Sequence, residues 1–416
     1  MYDPFARPGR TPPTLSMPHK ALDVGFTLDW ASAEARHRDC LFLPWLMPAR
    51  DVWPDTVGSQ LAGQGAGTVV ESAAAGQVPV SDPASVVELP VDAFNRCLRR
   101  HRVVEPRAGR FYPRAFIAGH AGIEAGDREL FRIGALKDAR QDARLVADLN
   151  HPLSGTDLQL RARVLATHED GRDGDGMVDV ARLLTARGPG MQARWRGRPT
   201  DFWSADACER EDPAPDRDFY ASPRLVHHLD AEARARIAEL YATLTPPGAR
   251  VLDLMSSWES HLDQLRGPEA VVGLGMNHEE LAANEALDQA LVHDLNRQPA
   301  IPLPPASFDA VVCTASVEYL TRPQAVFASV RELLRPGGVF VVTFSDRCFP
   351  TKTIAVWEPL YDFERMGLVL DLFLRAGFDD RSTLSLRGLP RPPDDPYAGR
   401  LEHADPVFAV WGCRRD

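Results

Sequence analysis

Residues 250–262 read Arg-Val-Leu-Asp-Leu-Met-Ser-Ser-Trp-Glu-Ser-His-Leu, an apolar run reaching an acid, Asp253, and then a polar segment. Where such a strand meets a ligand, a glycine-rich loop usually follows, because Gly lacks a Cβ and lets the backbone approach closely. Here Met255, Ser256, Ser257 and Trp258 occupy that place, with His261 beyond them. The hydroxyls could bind a carboxylate or an ammonium group, the indole could wall a pocket, and a neutral imidazole could hydrogen-bond a ligand. A second chemical cluster is Glu318-Tyr319, where a carboxylate could act as a general base or bind an amine, or could simply face solvent. A third is Ser345-Asp-Arg-Cys-Phe-Pro-Thr-Lys352, in which Arg347 suits a carboxylate or phosphate. Cys348 is a nucleophile candidate, but no activating histidine stands beside it, which favours an inert thiol. Tyr220, Arg224 and the pair His227-His228 precede the first long helix and could form a lid. Adjacent histidines cannot share one helical face, so that pair alone makes no metal site, and no metal is expected.

The elements that must position these residues follow from periodicity. From Asp230, a plausible N-cap, Ala233, Ile237, Leu240 and Leu244 recur at helical spacing until Thr245-Pro-Pro-Gly248. Strands are predicted at Val251–Leu254, Val271–Leu274, Leu291–Val292, Ala310–Cys313 and Val339–Phe344, with a helix over Arg322–Leu334. Near-continuous apolar strands separated by amphipathic helices indicate a parallel sheet covered on both faces. Ligands of such sheets sit at the carboxyl ends of the strands, where Asp253, Met276, Asn277, Asp294, Leu295 and Thr314 fall. From Ala21 to about His168 the pattern is alternating short runs, which marks half-buried strands. The division predicted is a loose arm over 1–20, a mainly β domain over 21–170, a linker and connector over 171–219, and an α/β domain over 220–416.

Composition narrows the classes. At 416 residues the chain is long enough for two domains, and 44% apolar with 25% charged residues is ordinary for a globular protein. A net charge of −11 argues against a nucleic-acid or anionic-membrane surface. Without a signal segment or an apolar run of membrane length, a cytoplasmic location is expected. The six scattered cysteines read as reduced thiols rather than a disulfide frame.

The segment from Tyr220 to Asp416 resembles a class I S-adenosylmethionine-dependent methyltransferase. Val251-Leu-Asp-Leu254 is similar to the first motif up to its acid, and Val292-His-Asp-Leu-Asn296 to the loop that meets adenine. Ser307–Leu320 is similar to the fourth strand and its exit, and Leu333-Leu-Arg-Pro-Gly-Gly-Val-Phe-Val-Val342 to the turn and fifth strand. Asp405–Cys413 suits the last antiparallel strand. The resemblance implies a Rossmann-like α/β domain with a seven-stranded mixed sheet, S-adenosylmethionine as cofactor, and a small-molecule or peptide methyl acceptor. It implies cofactor contacts at Asp253, Met255, Ser256, Ser257, Trp258 and His261, at Met276 and Asn277, at Asp294 and Leu295, and at Thr314. Acceptor contacts are implied at Glu318, Tyr319, Tyr220, Arg224, Arg347 and Cys348. The chain departs from the family in lacking the loop glycines and in carrying Gly275 where an acid usually holds the ribose, with Asn277 a neutral substitute.

The segment from Ala21 to Ala166 resembles a degenerate FKBP-type prolyl isomerase of the SlyD-like kind, an α+β and mainly β fold. Pro54–Gly67, Asp82–Phe94 and especially Asp148-Leu-Asn-His-Pro-Leu-Ser-Gly-Thr-Asp-Leu158 carry the likeness. The resemblance implies a pocket near Asp39, Phe42 and Trp53 and an insertion over about 95–147. The leading expectation is a methyltransferase with this domain as accessory. The competing one is a peptide-binding, chaperone or isomerase protein whose methyltransferase fold is inactive.

Overall fold

The computed structural model describes residues 1–6, 21–73, 78–97, 103–137, 142–169, 176–186 and 188–416. The predicted arm and the glycine-rich linker therefore lie largely outside the described residues. The first half contains β1 (Ala21–Ala31), β2 (Arg36–Leu46), α1 (Val57–Leu61), β3 (Val69–Ala73) and β4 (Val86–Pro90). It continues with β5 (Phe111–Pro113), β6 (Leu130–Lys137), β7 (Arg144–Asp148) and β8 (Gln159–His168). The connector holds α2 (Val180–Thr185) and α3 (Asp216–Phe219). The second half contains α4 (Ala231–Leu244), β9 (Arg250–Ser256), β10 (Ala270–Gly275), α5 (His278–Ala283) and β11 (Gln289–Val292). After these come β12 (Phe308–Thr314), α6 (Pro323–Leu333), β13 (Leu334–Phe344), α7 (Asp362–Arg375), β14 (Asp379–Arg387) and β15 (Val407–Cys413).

Strands β9 to β13 are mutually parallel where they pair, as their apolar runs require. Val251 packs with Ile237, Leu240 and Tyr241 of α4, while Leu252 and Leu254 join the opposite cluster with Phe327 of α6 and Phe373 of α7. The strand period of two thus feeds two cores from one strand. Helix α4 starts as expected, with the Asp230 carboxylate accepting the Ala233 N–H at 2.9 Å, a cap worth about 1 kcal/mol.

The expected seven-stranded sheet is extended. Its order is β11-β10-β9-β12-β13-β15-β14-β2-β1-β8-β3, eleven strands in one sheet. The join is a parallel pairing of β14 with β2, running from Ser382 opposite Arg36 to Arg387 opposite Leu41. The boundary at 219/220 therefore does not interrupt the sheet. A second sheet, β4-β7-β6-β5, stands apart from it.

The seam between β14 and β2 is polar and buried. Asp39, 3% exposed, accepts the Trp30 indole N–H at 2.7 Å, the Ser385 hydroxyl at 2.9 Å and the Gln192 amide at 3.5 Å. His37 engages Thr383 through Nδ1 and Ser32 through Nε2, and burial lowers its pKa to about 3, so it is neutral. Further ties run from the first half and the connector to α7: Arg110 to Glu364 at 2.9 Å, and Arg194 and Trp203 to Asp371, each at 2.7 Å. The residues expected to line a prolyl-isomerase pocket do not form one here. Asp39 and Phe42 are buried, and Trp53 packs on Gly58 and Phe26.

The chain start is not loose over its first six residues. Phe5 lies so close to Gly25 that a Cβ there would meet its ring at 2.5 Å, and the Tyr2 hydroxyl donates to Glu239 of α4. Among the described residues no helix is long and apolar enough to cross a membrane, and no cluster of three or more His, Cys, Asp or Glu is placed to hold a metal.

Candidate functional site

A cavity of about 550 Å³ opens at the carboxyl ends of β9, β10, β11 and β12. Its floor is the segment after β9. Leu254 pairs with Leu274, but the next pair is Ser256 with Gly275, so Met255 is an extra residue, and it sits in the left-handed region at φ 60°. This bulge drives the Ser256 carbonyl against β10, where a Cβ on residue 275 would lie 2.2 Å from it. Gly275 is thus required on steric grounds: the bulged strand end leaves no room for a side chain.

Residues 257–269 form no helix. His261 is a loop residue at φ 54°. Hydrogen bonds take over the role of the missing helix. Asp253 accepts the hydroxyls of Ser256 and Ser260, the latter at 2.6 Å. Asn284, which ends α5, donates to the Ser257 carbonyl at 2.8 Å and to the Ser260 hydroxyl at 2.7 Å. Ser257 donates to Glu280 at 2.8 Å. The serine protons are thus spent on carboxylates of the chain itself. Burial raises the Asp253 pKa to about 6, against the pull of both serine hydroxyls. Burial would also raise Glu259, but His261 and Arg234 hold it down to about 2.

The segment 219–228 closes one side. The Asn277 amide donates to the Tyr220 carbonyl at 2.8 Å while its oxygen caps α5 by accepting from Glu279 and Glu280. Glu280 accepts the Arg224 N–H at 2.7 Å. The Arg224 guanidinium lies 4.4 Å from the Phe219 ring centre, and its Nη1 is buried without a hydrogen-bond partner. At the mouth, the Trp258 indole donates to the Val226 carbonyl at 3.1 Å and its ring meets His227, which is bound to Glu259 at 2.9 Å.

The loop after β11 brings Asp294 and Leu295 to the cavity. Asp294 accepts two backbone N–H groups on one oxygen, Oδ1. Thr314 at the end of β12 shares the Tyr241 hydroxyl with Thr343, at 2.6 and 2.7 Å. Tyr319 accepts the Phe349 N–H at 2.9 Å, which leaves its own proton free to donate. Arg347 and Cys348, from the loop after β13, and Met276 also line the cavity.

Of the residues expected from sequence, Glu318 alone is turned away. It is 1% exposed, lines no part of this cavity, and has an Oε2 without a partner. Burial pushes its pKa to about 7. The sequence left out Glu280, Asn284, Ser260 and Asp216. Asp216 is buried in α3 and joins Arg210 at 2.7 Å to Asn296 at 2.7 Å. An acid in the first turn after a strand was the available sign for Glu280. Nothing local marks the others.

Residues 257–342 match a family described as a methyltransferase domain. A search of curated proteins gave no match. Among solved structures, the chain is similar to an S-adenosylmethionine-dependent methyltransferase from Archaeoglobus fulgidus: 13% identity, 43% of this chain and 92% of that one, TM-score 0.32. It is also similar to one from Mesorhizobium loti, with 19% identity, 42% and 98% coverage, and TM-score 0.28. A third is the YcgJ protein of Bacillus subtilis, with 12% identity, 46% and 100% coverage, and TM-score 0.32. Residues 257–342 thus carry the likeness to a methyltransferase domain, an activity for which S-adenosylmethionine is the expected methyl donor. The match does not reach the first half, so an FKBP-type assignment has no support there.

The donor set suits that cofactor. Arg224 keeps an unpaired nitrogen for a carboxylate, Glu280 and Asp294 offer acceptors to hydroxyl or ammonium groups, and Met255, Met276 and Leu295 supply apolar wall for a base.

Proposed function

We propose that the chain binds S-adenosylmethionine in this cavity and transfers its methyl group to a small-molecule acceptor. The observation that carries the reading is the loop after β9, which lacks glycines yet is fastened residue by residue around an open cavity at the strand ends. Arg224 would hold the carboxylate of the methionine moiety, Glu280 its ammonium or the ribose, and Asp294 with Leu295 the nucleoside. When bound, the cofactor supplies an electrophilic methyl on a sulfonium, so the protein's work is orientation and exclusion of water. Trp258 and His227 close the mouth, and Tyr319 presents a donor toward the reacting groups. Asp253 acts through the loop it organises rather than by touching the ligand.

For the first half we infer a structural role, extending and stiffening the sheet. Asp39, the carboxylate expected in a prolyl-isomerase pocket, is buried in the seam and bound to Ser385.

Titration calorimetry with S-adenosylhomocysteine tests the proposal. Binding at roughly micromolar Kd is expected, weakened about tenfold or more by Arg224→Met, the loss of one charge-assisted contact. No heat and no thermal shift with the wild-type chain would refute it.

A further inference from the structure

The loop after β13 and the 219–228 segment meet at the ring of Phe349, and the groups around that ring retain hydrogen-bonding capacity the cofactor reading does not use. The His228 ring stands edge-on to Phe349 at 5.3 Å, Tyr319 lies at 5.9 Å and Phe219 at 5.5 Å. His228, Tyr319 and Arg347 all line the cavity. His227 is bound to Glu259, but among the described residues no hydrogen bond engages either nitrogen of His228. Burial lowers the pKa of His228, helped by Arg224, Arg347 and His227 and opposed by Glu280. Its neutral, proton-accepting form therefore prevails near neutral pH.

Arg347 is the second unspent group. Its guanidinium lies 5.0 Å from the Tyr397 ring centre, and its tie to Asp405 is long, at 3.4 Å. Asp405 is already held by Arg391 at 2.6 Å, so Arg347 keeps donors for an incoming anion.

We propose that this cluster is the acceptor subsite and that it takes a small carboxylic acid bearing a hydroxyl, phenol or amine. Arg347 binds the carboxylate and His228 receives the proton of the attacking group. This rests on the methyl-transfer reading of the cavity. The acceptor X–H bond breaks with its proton passing to the imidazole, and the X–C bond forms. The carbon–sulfur bond of the donor breaks with its electron pair remaining on sulfur, giving a neutral thioether. The imidazolium then returns its proton to water. Tyr319, whose oxygen already accepts the Phe349 N–H, donates its own proton to the acceptor and orients it.

The test uses the full chain saturated with S-adenosylhomocysteine and a panel of hydroxy- and amino-carboxylic acids, each paired with its neutral primary amide. At least one acid should bind about tenfold more tightly than its amide, and Arg347→Met should erase that preference while S-adenosylhomocysteine affinity holds within about twofold. With the best acid and S-adenosylmethionine, His228→Gln should lower kcat by roughly a hundredfold or more and remove the acidic limb of its pH profile. The Kd of that acid should stay within about threefold. The inference is overturned if no acid outbinds its amide, if Arg347→Met leaves the preference intact, or if the bound acid is not methylated. It is equally overturned if His228→Gln keeps both kcat and the acidic limb. Loss of S-adenosylhomocysteine binding in the wild-type chain would instead remove the cofactor reading beneath it.

Discussion

The seam between β14 and β2 and the loop after β9 are both polar clusters buried in one sheet, yet they are built to opposite ends. In the seam, Asp39 accepts from Trp30, Ser385 and Gln192, His37 spends both nitrogens on Thr383 and Ser32, and all of Asp39, His37, Thr383 and Ser385 are buried. In the loop, Asp253, Ser256, Ser260, Asn284, Ser257 and Glu280 form a comparable chain of bonds, but around an open cavity with a partnerless Arg224 nitrogen at its side. A closed network fixes one arrangement of the chain, whereas a network with open capacity prepares a place for another molecule.

Changes to the seam should therefore cost stability, and changes to the loop should cost binding. The largest effect is expected from Asp39→Ala, which strands three donors and removes the charge facing Arg387. A loss of about 4 kcal/mol in urea unfolding is expected. Because the sheet is continuous, both halves should melt in one transition; two separated transitions would break the comparison. Next is Glu318→Gln, a test of an acid belonging to neither network. Folded Glu318 keeps its proton up to about pH 7, whereas its ordinary pKa is 4.5, so the folded state binds more protons between those values. Its contribution to stability is then complete below about 4.5 and lost as pH rises to about 7, an effect on the order of 3 kcal/mol. The Gln variant should lose that slope and be the more stable chain at pH 8 by urea titration. The smallest stability effect is expected from Gly275→Ala, about 2 kcal/mol, because the β9 bulge must shift to admit the Cβ. Its S-adenosylhomocysteine affinity should fall by more than its stability does.

Much of this architecture is readable in the residues. Val251–Leu254, Ala310–Cys313 and Val339–Phe344 are strands because their apolar runs have no other burial, and Asp230 starts α4 as a cap should. The extension of the sheet was not readable, since Ser382–Arg387 and Arg36–Leu41 meet across more than three hundred residues and carry no mutual signal. Nor was the bulge: nothing in Leu254-Met-Ser256 states that Met255 takes a positive φ, so the reason for Gly275 stayed hidden. At 318 and 319 the sequence gives two side chains and a short turn. Only the packed turn decides that Tyr319 faces the cavity and Glu318 the core.

The most direct test replaces Met255–Glu259 by Gly-Cys-Gly-Thr-Gly and compares S-adenosylhomocysteine binding with the wild type by calorimetry. If the serine-fastened loop is built to hold the cofactor, the graft loses the Ser256 and Ser257 bonds and binds at least about tenfold more weakly. A graft that binds more tightly than the native loop would contradict the account.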